Sequence, residues 1–119
     1  MKILGLITHL HTATDSKKIP LCLVALLDDK LVGTVNLIEN DDNKRNHLTP
    51  WLAAMVEQAE FRGQGIGSKL VTALQAKARA MQIPTLYFGT DGPRFYTRLG
   101  AVTHEHVRDD FSIMRFDVQ

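Results

Sequence analysis

The sequence predicts a mixed α/β fold: a mostly antiparallel sheet with a central parallel βαβ unit. Three observations carry that reading. Two apolar stretches of strand length flank an Asp-Asp-Lys turn at residues 21–38. A glycine-rich segment at 61–67 leads into a helical apolar stripe and then a short buried strand. Two alternating stretches close the chain at 101–107 and 111–118. With 119 residues, 45% hydrophobic and 23% charged, residues 1–119 are expected to form one domain of ordinary globular composition.

Taken in order, residues 1–18 are ambiguous. Ile3, Leu4, Leu6, Ile7 and Leu10 suit either a short helix or a strand, and Thr12 to Lys18 reads as a loop. Leu21-Cys22-Leu23-Val24-Ala25-Leu26-Leu27 is a continuous apolar run suited to a strand buried on both faces. Asp28-Asp29-Lys30 is a turn, and Leu31 to Ile38 returns as a second strand, completing a hairpin. Glu39 to His47 is a charged loop. Leu48 to Glu57 is read as a third strand, although Ala53, Ala54 and Met55 would equally suit a helix; Pro50 near its start and its length favour the strand. Ile66, Leu70, Val71, Leu74, Ala78 and Met81 then share one helical stripe running to about Gln82, with Pro84 forcing the exit. Thr85 to Gly89 is a buried strand, parallel to the third because a helix crosses over between them. Thr90 or Asp91 is a candidate cap for a short helix over Pro93–Leu99, with Gly100 as its left-handed stop.

Composition excludes several classes of function. Fourteen Lys and Arg against thirteen Asp and Glu leave a net charge of +1, which removes most of the electrostatic argument for a general nucleic-acid or membrane-surface binder. One cysteine, Cys22, allows no intramolecular disulfide, and a cytoplasmic setting fits. No apolar run has the length of a membrane span. The opening MKILGLITHL lacks a small-residue cleavage site and is not read as a signal peptide.

The chemistry is concentrated in Phe61-Arg62-Gly63-Gln64-Gly65-Ile66-Gly67. Glycines between a strand and a helix let backbone approach a ligand and permit positive φ. The helix start adds unpaired N–H groups and the positive end of the dipole, a natural phosphate site, and Arg62 adds a cation. The segment is no Walker A motif, because Ser68-Lys69 stands in the reverse order. Nor is it a dinucleotide fingerprint, since the glycines run G-x-G-x-G and no acidic residue follows at the required distance.

Arg62-Gly63-Gln64-Gly65-Ile66-Gly67 resembles the R/Q-x-x-G-x-G/A signature of the GCN5-related N-acetyltransferases, the GNAT superfamily. Phe95-Tyr96-Thr97-Arg98-Leu99-Gly100-Ala101 is similar to that family's F-Y-x-x-L-G-F segment, and Trp51-Leu52-Ala53 looks like one branch of it. The resemblance spans about residues 20–117 and implies a GNAT-like fold that binds acetyl-coenzyme A (acetyl-CoA). It implies Met55, Val56 and Glu57 beside the pantetheine arm, and Arg62, Gly63, Gln64, Gly65, Ile66, Gly67 and Ser68 around the pyrophosphate. It implies acetyl transfer to a primary amine, of a small molecule or a peptide, by direct attack, with Tyr96 as general acid; the plainer alternative for Tyr96 is a half-buried ring packing the short helix onto the sheet. A coenzyme A-binding regulatory or assembly module without transfer activity is the alternative. Two departures stand out. Only about 20 residues precede the first hairpin, where the family usually has a strand and one or two helices; the acceptor side is therefore expected to be open, rebuilt by another chain or reduced, and a homodimer is expected. The loop Gly89-Thr90-Asp91-Gly92 lacks the Asn that many members carry.

Other residues have plainer expectations. Glu57 interrupts an apolar strand end and is a candidate base, directly or through water, or else a solvated strand end. Glu60 is read as a solvated loop charge. His9, His11, His47, His104 and His106 are read as surface histidines, and no metal site is expected. Cys22 is read as a buried small hydrophobe, Trp51 as a core or interface anchor, and Lys44-Arg45 as too short a basic run for nucleic acid.

Overall fold

The computed structural model describes the backbone of residues 2–8 and all of residues 19–119. Seven strands form one sheet: β1 (Lys2–Thr8), β2 (Leu21–Leu27), β3 (Lys30–Ile38), β4 (Trp51–Glu57), β5 (Thr85–Thr90), β6 (Val102–Arg108) and β7 (Phe111–Asp117). Two helices accompany them, α1 (Ile66–Ala80) and α2 (Pro93–Thr97). The strand order is β1-β2-β3-β4-β5-β7-β6, and every neighbouring pair is antiparallel except β4 and β5. The mixed sheet with a central βαβ unit is therefore the one expected. Of the two readings open for the start of the chain, residues 2–8 form a strand against β2. The readings made for Thr12–Lys18, His9 and His11 lie outside the described residues.

Local chemistry accounts for the turns. Asp28 and Asp29 both have positive φ, 50° and 67°, the conformation that lets a tight hairpin follow the twist of its strands. α1 ends at Ala80, two residues before the expected limit, because Gln82 turns left-handed at φ 62°. The N–H of Ile83 then donates to the Ala78 carbonyl at 2.9 Å and that of Gln82 to Arg79 at 3.0 Å, a Schellman closure without glycine. α2 is closed in the same way by Gly100 at φ 101°, with Ala101 N–H on the Tyr96 carbonyl at 3.0 Å. Its start differs from expectation. Gly92 is the N-cap and no side chain caps the helix; the Thr90 hydroxyl instead accepts the Gly92 N–H at 3.0 Å, and Asp91 plays no capping part.

The two faces of the sheet are covered differently. On one, Ile66, Leu70, Leu74 and Ala78 of α1 pack on Leu23, Val35, Leu37, Leu52, Leu86, Phe88 and Phe116. On the other, reached by the alternate residues of the same strands, Trp51, Ile113 and Tyr87 form a smaller cluster with Leu48. Leu48 had been expected to open β4, but the strand starts at Trp51. Leu48 belongs to the loop at 39–50, and its carbonyl accepts the Trp51 Nε1–H at 2.7 Å. That loop is pinned down by Arg45, which donates to Glu105 of β6 at 2.9 and 2.7 Å and to Asp42 at 2.8 Å.

Candidate active site

β4 and β5 pair at one position, Trp51 with Tyr87, where the Tyr87 N–H donates to the Pro50 carbonyl at 3.0 Å. Beyond it the two strands part. β4 carries a bulge there: Ala54 has φ 50°, and the register against β3 steps from Asn36–Ala53 to Thr34–Val56. The Asn36 side-chain amide donates to the Ala54 carbonyl at 3.4 Å, supporting the bulge from the neighbouring strand. β4 stays paired with β3 as far as Glu57, and β5 stays paired with β7 as far as Thr90. The gap between them is thus flanked by strand edges with backbone groups free to pair an extended ligand.

Met55, Val56 and Glu57 line the β4 side of this gap. Val56 is 57% exposed, a large share for an apolar side chain. Met55 and Glu57 alternate with it and both reach the start of α1. A Cβ placed on Gly67 would lie 2.6 Å from Glu57 Oε1 and 3.4 Å from Met55 Cε.

The glycine loop runs across the mouth of the gap. A 3-10 turn at Ala59–Phe61 follows β4, and the Gln58 N–H donates to the Val32 carbonyl at 2.9 Å, fixing the departure of the chain. Arg62 is extended, with its side chain exposed. Gly63 and Gly65 have φ 83° and 79°, and nothing lies within 4 Å of a Cβ at either. These two glycines meet the requirement for positive φ and leave open space over the loop. Gly65 is the N-cap of α1, no side chain caps it, and its carbonyl accepts the Lys69 N–H at 3.1 Å. The N–H groups of Ile66, Gly67 and Ser68 precede that first helical bond, as phosphate binding at a helix start requires. The Ile66 side chain is 1% exposed and belongs to the core, so it can offer a ligand its backbone alone.

Tyr96 stands on the other side of the gap. Its half-buried ring packs on Phe88, with centroids 4.5 Å apart, and edge-on against Phe95 at 4.9 Å. Burial raises the phenol above its ordinary value, and the charge of Glu57 adds to the shift. The two residues expected to move protons are therefore brought within electrostatic reach of each other. A strand-end carboxylate and a phenol whose ionisation burial disfavours thus lie close enough to interact.

Other expected residues fall elsewhere. Trp51 is 1% exposed and anchors the core. Cys22 is half-buried rather than fully buried, and burial pushes its thiol up. Glu60 makes an exposed ion pair with Lys30 at 3.2 Å. His47, His104 and His106 are exposed; His104 lies edge-on to Tyr87, and His106 Nε2 is 2.7 Å from the Asp109 carbonyl. Among the described residues no His, Cys, Asp and Glu group could hold a metal ion, and no helix is long and apolar enough to cross a membrane. The bulge at Ala54 and the contact of Glu57 with Gly67 escaped the sequence, since neither an alanine nor a glycine in a helix signals such a role.

A family model described as the acetyltransferase (GNAT) family matches residues 6–101. The chain belongs to that family. Known structures share its fold. An aminoglycoside 6'-N-acetyltransferase complexed with coenzyme A is 19% identical, with a TM-score of 0.68 over 83% of this chain and 73% of that one. An IAA acetyltransferase from Bacillus cereus ATCC 14579 is 15% identical, with a TM-score of 0.68 over 98% of this chain and 99% of that one. A Bacillus anthracis str. Ames protein in complex with acetyl coenzyme A is 17% identical, with a TM-score of 0.66 over 84% of this chain and 63% of that one. At these identities the likeness is one of fold. No curated protein matches the chain by sequence.

Proposed function

We propose that this GNAT-family chain transfers an acetyl group from acetyl-CoA to a primary amine by direct attack, in the gap between β4 and β5. The observation that carries the reading is the gap itself. Two parallel strands meet at Trp51–Tyr87 and then part, and Glu57, Tyr96 and the glycine loop surround the open end. The residues present fit acetyl-CoA. Gly63 and Gly65 hold positive φ and leave open space over the loop, and the N–H groups of Ile66, Gly67 and Ser68 at the helix start suit a pyrophosphate. Arg62 beside them supplies an exposed cation. The unpaired β4 edge at Met55, Val56 and Glu57 suits the amide-bearing pantetheine arm.

Bound acetyl-CoA would supply an activated acyl carbon. The chain's own residues manage protons around it. Glu57 takes a proton from the amine, directly or through water, so that a free lone pair can attack. Tyr96 returns a proton to the departing sulfur, and its raised pKa keeps that proton in place at neutral pH. Cys22 lies on β2, outside the gap, with its thiol pushed up by burial, which suits direct attack rather than an acyl-enzyme.

The test is thiol release from acetyl-CoA in the presence of a panel of amines: small metabolites, polyamines, aminoglycosides and peptides. Amine-dependent thiol release is expected. Calorimetry that shows coenzyme A binding with no thiol release from any amine would replace transfer by a binding role. No binding at all would remove the site.

A further inference from the structure

We propose that Gly67 is a positioning residue for Glu57: the side chain it lacks leaves the slot in which the Glu57 carboxylate rests against the first turn of α1. The three glycines of the loop differ in what they require. Gly63 and Gly65 need positive φ and have nothing within 4 Å of a Cβ. Gly67 is the reverse. It is helical and buried, so its backbone conformation suits any residue. A Cβ there would lie 2.6 Å from Glu57 Oε1 and 3.3 Å from the carboxyl carbon. Helix formation does not explain a glycine at this position, because alanine is the better helix former. Space for the carboxylate does.

Among the described residues no salt bridge holds Glu57. Its carboxylate is placed by what surrounds it: Met55 on the same strand face, the bare backbone at Gly67, and Tyr96 across the gap. A methyl group at 67 must displace the Glu57 oxygen, since Glu57 is the flexible partner and the helix is not. The displacement changes the distance from carboxylate to phenol. Glu57 is the charged group that bears on Tyr96, whose ring packs against those of Phe88 and Phe95.

The role of this carboxylate in transfer rests on the function proposed above; its position does not, and the experiment separates the two. The chain has two tyrosines, so ring-labelled tyrosine gives two resolvable signals by NMR. The Tyr96 titration midpoint would be measured in the wild type, Gly67→Ala, Glu57→Gln and the double variant. Gly67→Ala is expected to shift the midpoint, and the shift is expected to vanish in the Glu57→Gln background. Its melting temperature is expected to rise or hold, because alanine favours the helix. For amine acetylation, kcat is expected to fall by about 10–100-fold, the scale of a displaced catalytic group, with KM for acetyl-CoA unchanged. An unshifted Tyr96 midpoint in Gly67→Ala, or the same shift without the Glu57 charge, would overturn the proposal. So would a loss expressed only as a higher KM for acetyl-CoA, which would make Gly67 a phosphate-site residue alone. If the midpoint shifts through Glu57 while the wild type acetylates nothing, the positioning holds and the transfer reading fails.

Discussion

The seam between β4 and β5 has two ends built on opposite terms. At the closed end Trp51 and Tyr87 pair, Trp51 is 1% exposed, and Leu48 in the loop at 39–50 covers it. At the open end the same two strands have lost each other, Val56 is 57% exposed, and the polar groups of Glu57 and Tyr96 face across the space. One end is stabilised by burial and hydrogen bonds made within the chain. The other leaves backbone edges and helix N–H groups without partners among the described residues, which is the arrangement a ligand completes. The closed end acts as a hinge pin: because β4 and β5 are locked at Trp51–Tyr87, the bulge at Ala54 opens a gap instead of letting the register slip. Variants at the open end should therefore change turnover and leave stability nearly alone, and variants at the closed end should do the opposite.

The largest expected effect is at the open end. Tyr96→Phe keeps the ring that packs on Phe88 and Phe95 and removes the proton. Turnover of the best amine should fall by about 10²–10⁴-fold, the range of general acid catalysis, with little change in coenzyme A affinity or melting temperature. Steady-state kinetics and calorimetry on the same preparation check it. Equal turnover in the variant would make the hydroxyl structural and leave the leaving-group proton to water.

The closed end should answer in stability. Trp51→Ala removes a fully buried ring and its hydrogen bond to the Leu48 carbonyl. The expected loss is about 3–5 kcal/mol in denaturant unfolding, the usual scale for a buried tryptophan. Any activity that survives in the folded fraction should still depend on Tyr96. A midpoint within error of the wild type would mean that Trp51 does not anchor the seam.

The parts of this arrangement that were legible in the sequence are the local ones. The Asp28-Asp29 turn, the stripe from Ile66 to Ala78, the Gly100 stop and the glycine loop each declare themselves within a few residues. The start of the chain was not legible between helix and strand, because Ile3, Leu4, Leu6 and Ile7 suit both periods; pairing with β2 decides it. The Ala54 bulge was hidden because an alanine at φ 50° carries no glycine or asparagine flag. The lid over Trp51 was hidden for another reason. Leu48 read as the first residue of a strand, and the contact that holds its loop joins Arg45 to Glu105, 60 residues further along the chain. Tyr96 and Glu57 were both singled out as candidates, but only the fold brings a strand end and a short helix so far apart in sequence to the same space.

That lid gives the smallest effect and the clearest sign. Arg45 grips both oxygens of Glu105 and one of Asp42. Its hydrogen bonds hold the Glu105 carboxyl below the ordinary value. Asp42 is held low first by the Lys44 backbone N–H and then by Arg45. A carboxylate whose pKa is lowered by folding stabilises the native state at pH values above its ordinary pKa, near 4, and that contribution is lost as pH falls through the lowered value. Melting temperature should therefore decline as pH drops below about 4, and Arg45→Leu should make the decline shallower. Glu105 should account for more of the difference than Asp42, which keeps its bond from Lys44. These groups are at the surface, and salt should weaken the effect in the wild type but not in Arg45→Leu. Parallel acid profiles for the two proteins would mean that the lid stays down through Leu48 and Trp51 alone. A shallower profile in Arg45→Leu with unchanged turnover at neutral pH would separate the closed end of the seam from its open end by a charge that never touches the gap.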